Sequence, residues 1–225
     1  MSAPDLDGRF YDEWIAMSRR LGVSAYDLAR VSFAETGMFR RHPSNPNAGV
    51  WPFIESTLHR LGWPGSAFEF TALPPADQLP YMERYLQPYA RFLRDDAMVY
   101  VAMFLPSHLS RALQEGDAHV MTARGDGTGF YDANPILDRN GDGAITVGDL
   151  RRHLDIQDQG ARWRTIEQEL AARGAGGSRS LVSSARRNFV PLALAVSALG
   201  AWYLYLTPAG RQLRKSAERE IGRLA

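Results

Sequence analysis

The chain has 225 residues, of which 45% are hydrophobic and 23% charged, a balance that excludes a disordered or fibrous protein. A formal net charge of +1 excludes binding of nucleic acid through a general basic field. With no cysteine there is no disulfide, no zinc–thiolate centre and no thiol nucleophile.

The first residues are acidic and lack a basic start followed by an apolar run, so no secretory signal peptide is expected. Phe10, Trp14, Met17 and Leu21 then recur at steps of 3 or 4 residues, one face of a helix that Gly22 closes. Ser24 suits the N-cap of a second helix and Asp27 its first turn. That helix carries Leu28, Val31 and Glu35 on one face, and Gly37 ends it. Further helices are expected over 54–61, 75–87 and 95–105. No strand run stands out, so residues 1–115 read as a mainly α domain.

A Glu near the end of an amphipathic helix, on its apolar side, can form the wall of a cleft. Partial desolvation there lifts its pKa towards neutrality, as a general acid for a glycosidic oxygen requires. Spacing alone favours a surface carboxylate near a helix end. The surrounding sequence changes that balance. Ala34-Glu35-Thr36-Gly37, followed by Asn45-Pro46-Asn47-Ala48-Gly49-Val50-Trp51-Pro52-Phe53-Ile54-Glu55-Ser56-Thr57, resembles the lysozyme-like lytic transglycosylase family. In that family a helix ends in Glu, then Ser or Thr, then Gly, and a second segment reads Ala-Gly-Leu-Ile-Gln-Phe-Met-Pro-Ser-Thr. Ala48, Gly49, Phe53, Ser56 and Thr57 match directly, and Val50 and Ile54 match in type. The stretches 73–89 and 96–106 look like the blocks that follow in phage-type members, and the likeness covers roughly 10–150.

The resemblance implies a lysozyme-like helical domain that cleaves the β-1,4 bond between N-acetylmuramic acid and N-acetylglucosamine in peptidoglycan. One Glu protonates the leaving oxygen and then acts as base while the sugar's own 6-hydroxyl closes a 1,6-anhydro ring. By position Glu35 is that acid/base, and Thr36, packed or hydrogen-bonded beside it, is a substrate-side candidate. Two departures stand out. Pro52 replaces the Gln of many members, and the Ala-Tyr-Asn-Ala-Gly segment is absent, with Tyr100 in its general region. Both leave room for an inactive lysozyme-fold virion or envelope protein that binds glycan or serves assembly. Trp51, Trp63, Tyr81, Tyr85 and Tyr100 have rings suited to stacking on sugar. Core packing is the expectation for most of them; Trp51 is the leading groove candidate and Tyr100 a substrate-side candidate.

Residues 116–158 are rich in Gly and Asp. Asp138, Asn140, Asp142, Ala144 (through its carbonyl), Thr146 and Asp149 fall on the ligand positions of an EF-hand loop, with Gly143 at the sharp turn and Ile145 as apolar anchor. Oxygen ligands of this kind favour a structural Ca2+ ion. Asp149 in the last position is one methylene shorter than the usual Glu, which predicts weaker binding. Pro135 argues against an ordinary entering helix, whereas the segment after the loop reads as a helix. Such a loop would staple this region onto the helical domain. The five histidines, His42, His59, His108, His119 and His153, show no zinc-hydrolase spacing.

Residues 159–172 read as a polar helix and the Gly/Ser-rich stretch that follows, to 187, as a flexible linker. Residues 189–206 are 18 consecutive uncharged residues, about 27 Å as a helix, close to the ~30 Å of a bilayer core. Arg186 and Arg187 precede them, Arg211, Arg214 and Lys215 follow, and Trp202, Tyr203 and Tyr205 cluster at one end. A single C-terminal transmembrane helix over 188–207 and a basic tail over 208–225 are therefore expected. With the resemblance, this suggests a membrane-associated protein of a phage virion or host cell envelope. Its partners would be peptidoglycan glycan strands, the lipid bilayer and other virion proteins, with the N-terminal domain facing the wall.

Overall fold

A computed structural model describes residues 6–38, 49–157 and 160–175. His42, residues 45–48 of the second motif, most of the expected linker, the apolar stretch 189–206 and the basic tail lie outside them. Among the described residues no helix is long and apolar enough to cross a membrane.

The described part is mainly α. Helix α1 (Gly8–Leu21) starts where the Asp7 carboxylate accepts the Phe10 N–H at 2.8 Å, and ends at Gly22, whose φ of 67° places it in the left-handed region. Helix α2 (Ala25–Thr36) begins at Ser24, whose hydroxyl accepts the Tyr26 and Asp27 N–H groups, and ends at Gly37, φ 64°. Helices α3 (Glu55–Arg60), α4 (Ala67–Ala72) and α5 (Pro75–Leu86) follow, and α5 lies against α1. Arg20 grips Glu83 across that contact at 2.6 and 2.7 Å. The Ser66–Glu69 capping box starts α4, a helix not expected from the sequence.

Helix α6 (Asp96–Phe104) buries every residue from Asp96 to Ala102. A helix apolar on all sides belongs inside the protein, and α6 is surrounded by α2, by α7 (Leu109–Glu115) and by α9 (Val147–Gln157). Between α7 and α9 lie a short α8 (Phe130–Ala133) and two strands. Strands β1 (Val120–Ala123) and β2 (Ala144–Thr146) pair antiparallel, Thr122 opposite Ile145 and Ala123 opposite Ala144, with an irregularity between Val120 and Thr122. Both strands lie in the Gly/Asp-rich region over 116–158, and among the described residues of 1–115 there is no strand, as the sequence led us to expect. Runs of four and three residues are too short for alternation to show in sequence.

One correction concerns 159–172. The helix there, α10 (Ala161–Ala172), is amphipathic rather than polar: Trp163, Ile166 and Leu170 are buried, and it rests on α1 and α2. Side chains from the helical region, from the loop region (Met121, Leu137, Ile145, Leu150, Leu154) and from α10 belong to one continuous hydrophobic core.

A chain of charges also joins three helices. The buried Arg30 guanidinium on α2 donates to Asp96 on α6 and, at 2.9 Å, to Asp155 on α9. Arg151 on α9 reaches Asp95 at 2.8 Å, Asp117 at 2.8 Å and Asp96 at 3.5 Å.

Candidate active site

The caps of α2 fix where Glu35 falls. With Ser24 before the first turn and Gly37 after the last, Glu35 is the penultimate helical residue. It is half-buried, and its carboxylate accepts a hydrogen bond from the Tyr100 hydroxyl, carried on the central helix α6. Burial raises the Glu35 pKa from 4.5 to about 7, and the Tyr100 hydrogen bond partly offsets that rise. Among the described residues no charged neighbour shifts it. Tyr100 is 1% exposed. Its own pKa lies well above the ordinary phenol value, first through burial and then through the charge and hydrogen bond of Glu35. Tyr100 therefore stays protonated and serves as a fixed donor, while Glu35 exchanges its proton near neutral pH. A single carboxyl poised there can act as acid in one step and as base in the next.

This arrangement has a cost that depends on pH. Below pH 4.5 the carboxyl is protonated in both folded and unfolded chains and contributes nothing. Between 4.5 and about 7 the folded chain keeps a proton that the unfolded chain has lost, so stability falls as pH rises, and above about 7 the full penalty is present. At about 1.4 kcal/mol per unit, the penalty is roughly 3 kcal/mol. Glu35→Gln is thus expected to be more stable than the wild type by up to about 3 kcal/mol at pH 8 and equal to it at pH 4. Urea unfolding at the two pH values checks this; equal stabilities at pH 8 would place the carboxyl in water.

The second motif backs the helix end. Thr36 is buried and turns its hydroxyl inward, donating to the Ser32 carbonyl at 2.9 Å and the Val50 carbonyl at 3.4 Å, and Ser32 donates to the same Val50 oxygen. On its other side the Val50 N–H donates to the Gln78 side chain at 3.0 Å, and Gln78 donates to the Leu73 carbonyl at 3.1 Å. A Cβ on Gly49 would lie 2.4 Å from the Gln78 side-chain oxygen, which gives a close-approach reason for glycine there. Thr36 thus joins α2 to residue 50 and faces the protein.

Trp51 is corrected as a groove candidate. It is 3% exposed and belongs to the hydrophobic core, so it offers no open face to a sugar. Tyr100, also buried, acts on Glu35 rather than presenting its ring. Trp63, Tyr81 and Tyr85 are partly buried and pack as expected. Trp63 and Tyr81 sit edge-on to Phe70 at 5.6 and 5.2 Å, and Tyr85 sits edge-on to Phe53 at 5.6 Å.

Two histidine environments were not legible in the sequence. His153 on α9 packs its ring 6.0 Å from that of Tyr100, and neither ring nitrogen has a hydrogen-bond partner among the described residues. Burial first, and Arg139 second, push its pKa down to about 4, so it is neutral at pH 7. His119 is fully buried and satisfied, with Glu115 at 2.7 Å on one nitrogen and His108 at 3.0 Å on the other. Spacing in the chain carried no signal for either, because the partners come from other elements or lie across an irregular turn.

The loop over 138–149 folds on itself. Asp138 accepts the N–H groups of Gly141 at 2.8 Å, Asp142 at 3.2 Å and Gly143 at 2.9 Å, and the Tyr131 hydroxyl at 2.7 Å. The Tyr131 bond, with these backbone bonds, holds its pKa below the usual carboxylate value against some desolvation. Asn140 donates to Asp142 at 2.8 Å. Asp149 is buried; it accepts from the Arg139 N–H at 3.1 Å and Arg152 at 2.7 Å, and from the Thr146 N–H at 3.0 Å and hydroxyl at 2.6 Å. The loop enters through a 3-10 turn, Pro135–Leu137, rather than an ordinary helix, and exits into α9, while Ile145 is fully buried. Ala144 and Thr146 lie in β2, paired with β1. The donors are oxygens suited to a hard cation. Among the described residues, however, no group of three His, Asp or Glu side chains is gathered around a point that could hold a metal ion.

Comparison with protein-family models, curated proteins and solved structures finds no match to this chain.

Proposed function

We propose that the chain is a peptidoglycan lytic transglycosylase with Glu35 as its single acid/base. The observation that carries this reading is the half-buried Glu35 carboxyl, raised to about 7 by burial and held by the Tyr100 hydroxyl. In the first step protonated Glu35 gives its proton to the glycosidic oxygen as the bond from that oxygen to C1 of the muramic acid breaks. In the second the Glu35 carboxylate takes the proton of the 6-hydroxyl as O6 bonds to C1, closing the 1,6-anhydro ring and restoring the acid. No water is consumed and no second carboxylate is needed, unlike the two-carboxylate scheme of most glycosidases. Tyr100 holds the carboxyl in place through both steps.

The apolar stretch 189–206 would anchor this domain in a bilayer beside the wall, as in a phage virion or a cell envelope. Asp138, Asn140, Asp142, Thr146, Asp149 and the Ala144 carbonyl would hold Ca2+, which would draw the loop and the start of α9 together. Calcium at a hundredfold excess over its dissociation constant is then expected to stabilise the protein by about 2.7 kcal/mol. The effect should be read as a rise in melting temperature that Asp138→Ala removes; a melting temperature indifferent to millimolar calcium would rule the ion out.

The reaction is tested by incubating the full chain, in mild detergent, with purified sacculi. Anhydro-ring closure releases soluble fragments without new reducing ends, whereas hydrolysis yields one reducing end per cut. A folded chain that leaves sacculi intact would point to the glycan-binding or assembly role, which Pro52 favours by removing a polar side chain from the second motif.

A further inference from the structure

Helix α10 is built against the end of α2. Trp163 is 2% exposed and its ring lies 5.4 Å from that of Phe33, two residues before Glu35. Next to it, Arg162 donates from Nε to the Gly37 carbonyl at 2.9 Å and from Nη2 to the Met38 carbonyl at 3.0 Å. These two residues are where the chain turns away after Glu35. Gly37 has φ 64° and Met38 φ 48°, and Met38 is fully buried. A non-glycine residue in the left-handed region is held there by its surroundings. The planar guanidinium fork supplies two donors for two successive carbonyls, which a single ammonium does less well. Its positive charge also suits the carbonyl end of a helix.

We propose that Arg162 is a positioning residue for Glu35: by holding the Gly37 and Met38 carbonyls it fixes the last turn of α2 so that the Glu35 carboxyl meets Tyr100. The proposal rests on the reading of Glu35 as the acid/base and gives α10 a role in that site. It gives the buried positive-φ Met38, one residue past the helix cap, a hydrogen-bonded partner for its carbonyl. Arg162 acts through backbone geometry and touches no reacting atom.

The test uses the full chain in detergent, with 13C-labelled glutamate to follow the Glu35 carboxyl by NMR, in wild type, Arg162→Ala and Arg162→Lys. Glu35→Gln assigns the signal. The wild-type carboxyl is expected to titrate near 7, and in Arg162→Ala to move towards 4.5 as it escapes into water. Arg162→Lys should fall between them and carries the test if the alanine variant does not fold. On sacculi, Arg162→Ala should lower kcat about 100-fold, as a misplaced catalytic group does, with KM little changed. It should add no further loss in the Glu35→Gln background. A lower melting temperature with the Glu35 titration unchanged would overturn the proposal, as would a wild-type carboxyl already titrating near 4.5. A carboxyl that titrates near 7 and moves in Arg162→Ala, in a chain that leaves sacculi intact, would uphold the positioning role and overturn the transglycosylase reading alone.

Discussion

Glu35→Gln is expected to lower release of muropeptides from sacculi by about 10²–10⁴-fold, the usual contribution of a positioned general acid. The glutamine keeps the shape of the side chain and still accepts the Tyr100 hydroxyl, so the fold and the substrate-facing surface are preserved. What it lacks is a transferable proton. Glu35→Asp keeps the proton but withdraws the carboxyl by one methylene, and should retain a small fraction of the rate. In the wild type the rate should depend on a group titrating near 7, the value to which burial lifts Glu35. That dependence should be absent from any residual activity of Glu35→Gln. Loss of activity with an unchanged pH profile in the remaining rate would assign the titration to another group.

The largest expected effect on stability lies at the ion pair between Arg30 and Asp96. Their side chains are 10% and 8% exposed, and the pair joins α2 to α6, the helices that carry Glu35 and Tyr100. Taking one partner away leaves a charge stranded in a region of low dielectric, which typically costs about 3–5 kcal/mol. Asp96→Ala is expected to show a loss of that size by urea unfolding, tempered by the bond of Arg30 to Asp155, whose side chain is 70% exposed and therefore a weaker partner. Arg30→Met combined with Asp96→Leu removes both charges and should recover most of the loss, because the desolvation penalty goes with them. A loss below about 1 kcal/mol for Asp96→Ala would mean that the pair is solvated.

The sequence made some of this visible and hid the rest for physical reasons. Phe10, Trp14, Met17 and Leu21 announced α1 because only one of its faces is buried, and Gly22, Ser24 and Gly37 marked helix ends because capping chemistry is local. The position of Glu35 followed from those marks. Nothing in the sequence pairs Tyr100 with Glu35. It lies 65 residues from Glu35 in a helix buried on every side, where no periodicity distinguishes one face from another. Helix α10 read as polar because its arginines and glutamates outnumber Trp163, Ile166 and Leu170, although the three- and four-residue steps between those three mark one face. Arg162 and Arg30 looked like any other arginines, since their partners are distant in the chain and, for Arg162, are backbone carbonyls that no composition reveals. The loop over 138–149 was legible as a pattern of oxygen donors. The bonds those donors make to one another, and the contact of the buried Asp149 with the half-exposed Arg152, belong to the folded chain alone.

The most direct measurement sets the wild-type chain beside Glu35→Gln, both folded and at the same calcium concentration, on purified sacculi, with the soluble products read by mass spectrometry. The account predicts 1,6-anhydromuropeptides from the wild type and almost none from the variant. Equal products from both, or none from either, would contradict Glu35 as the acid of a lytic transglycosylase.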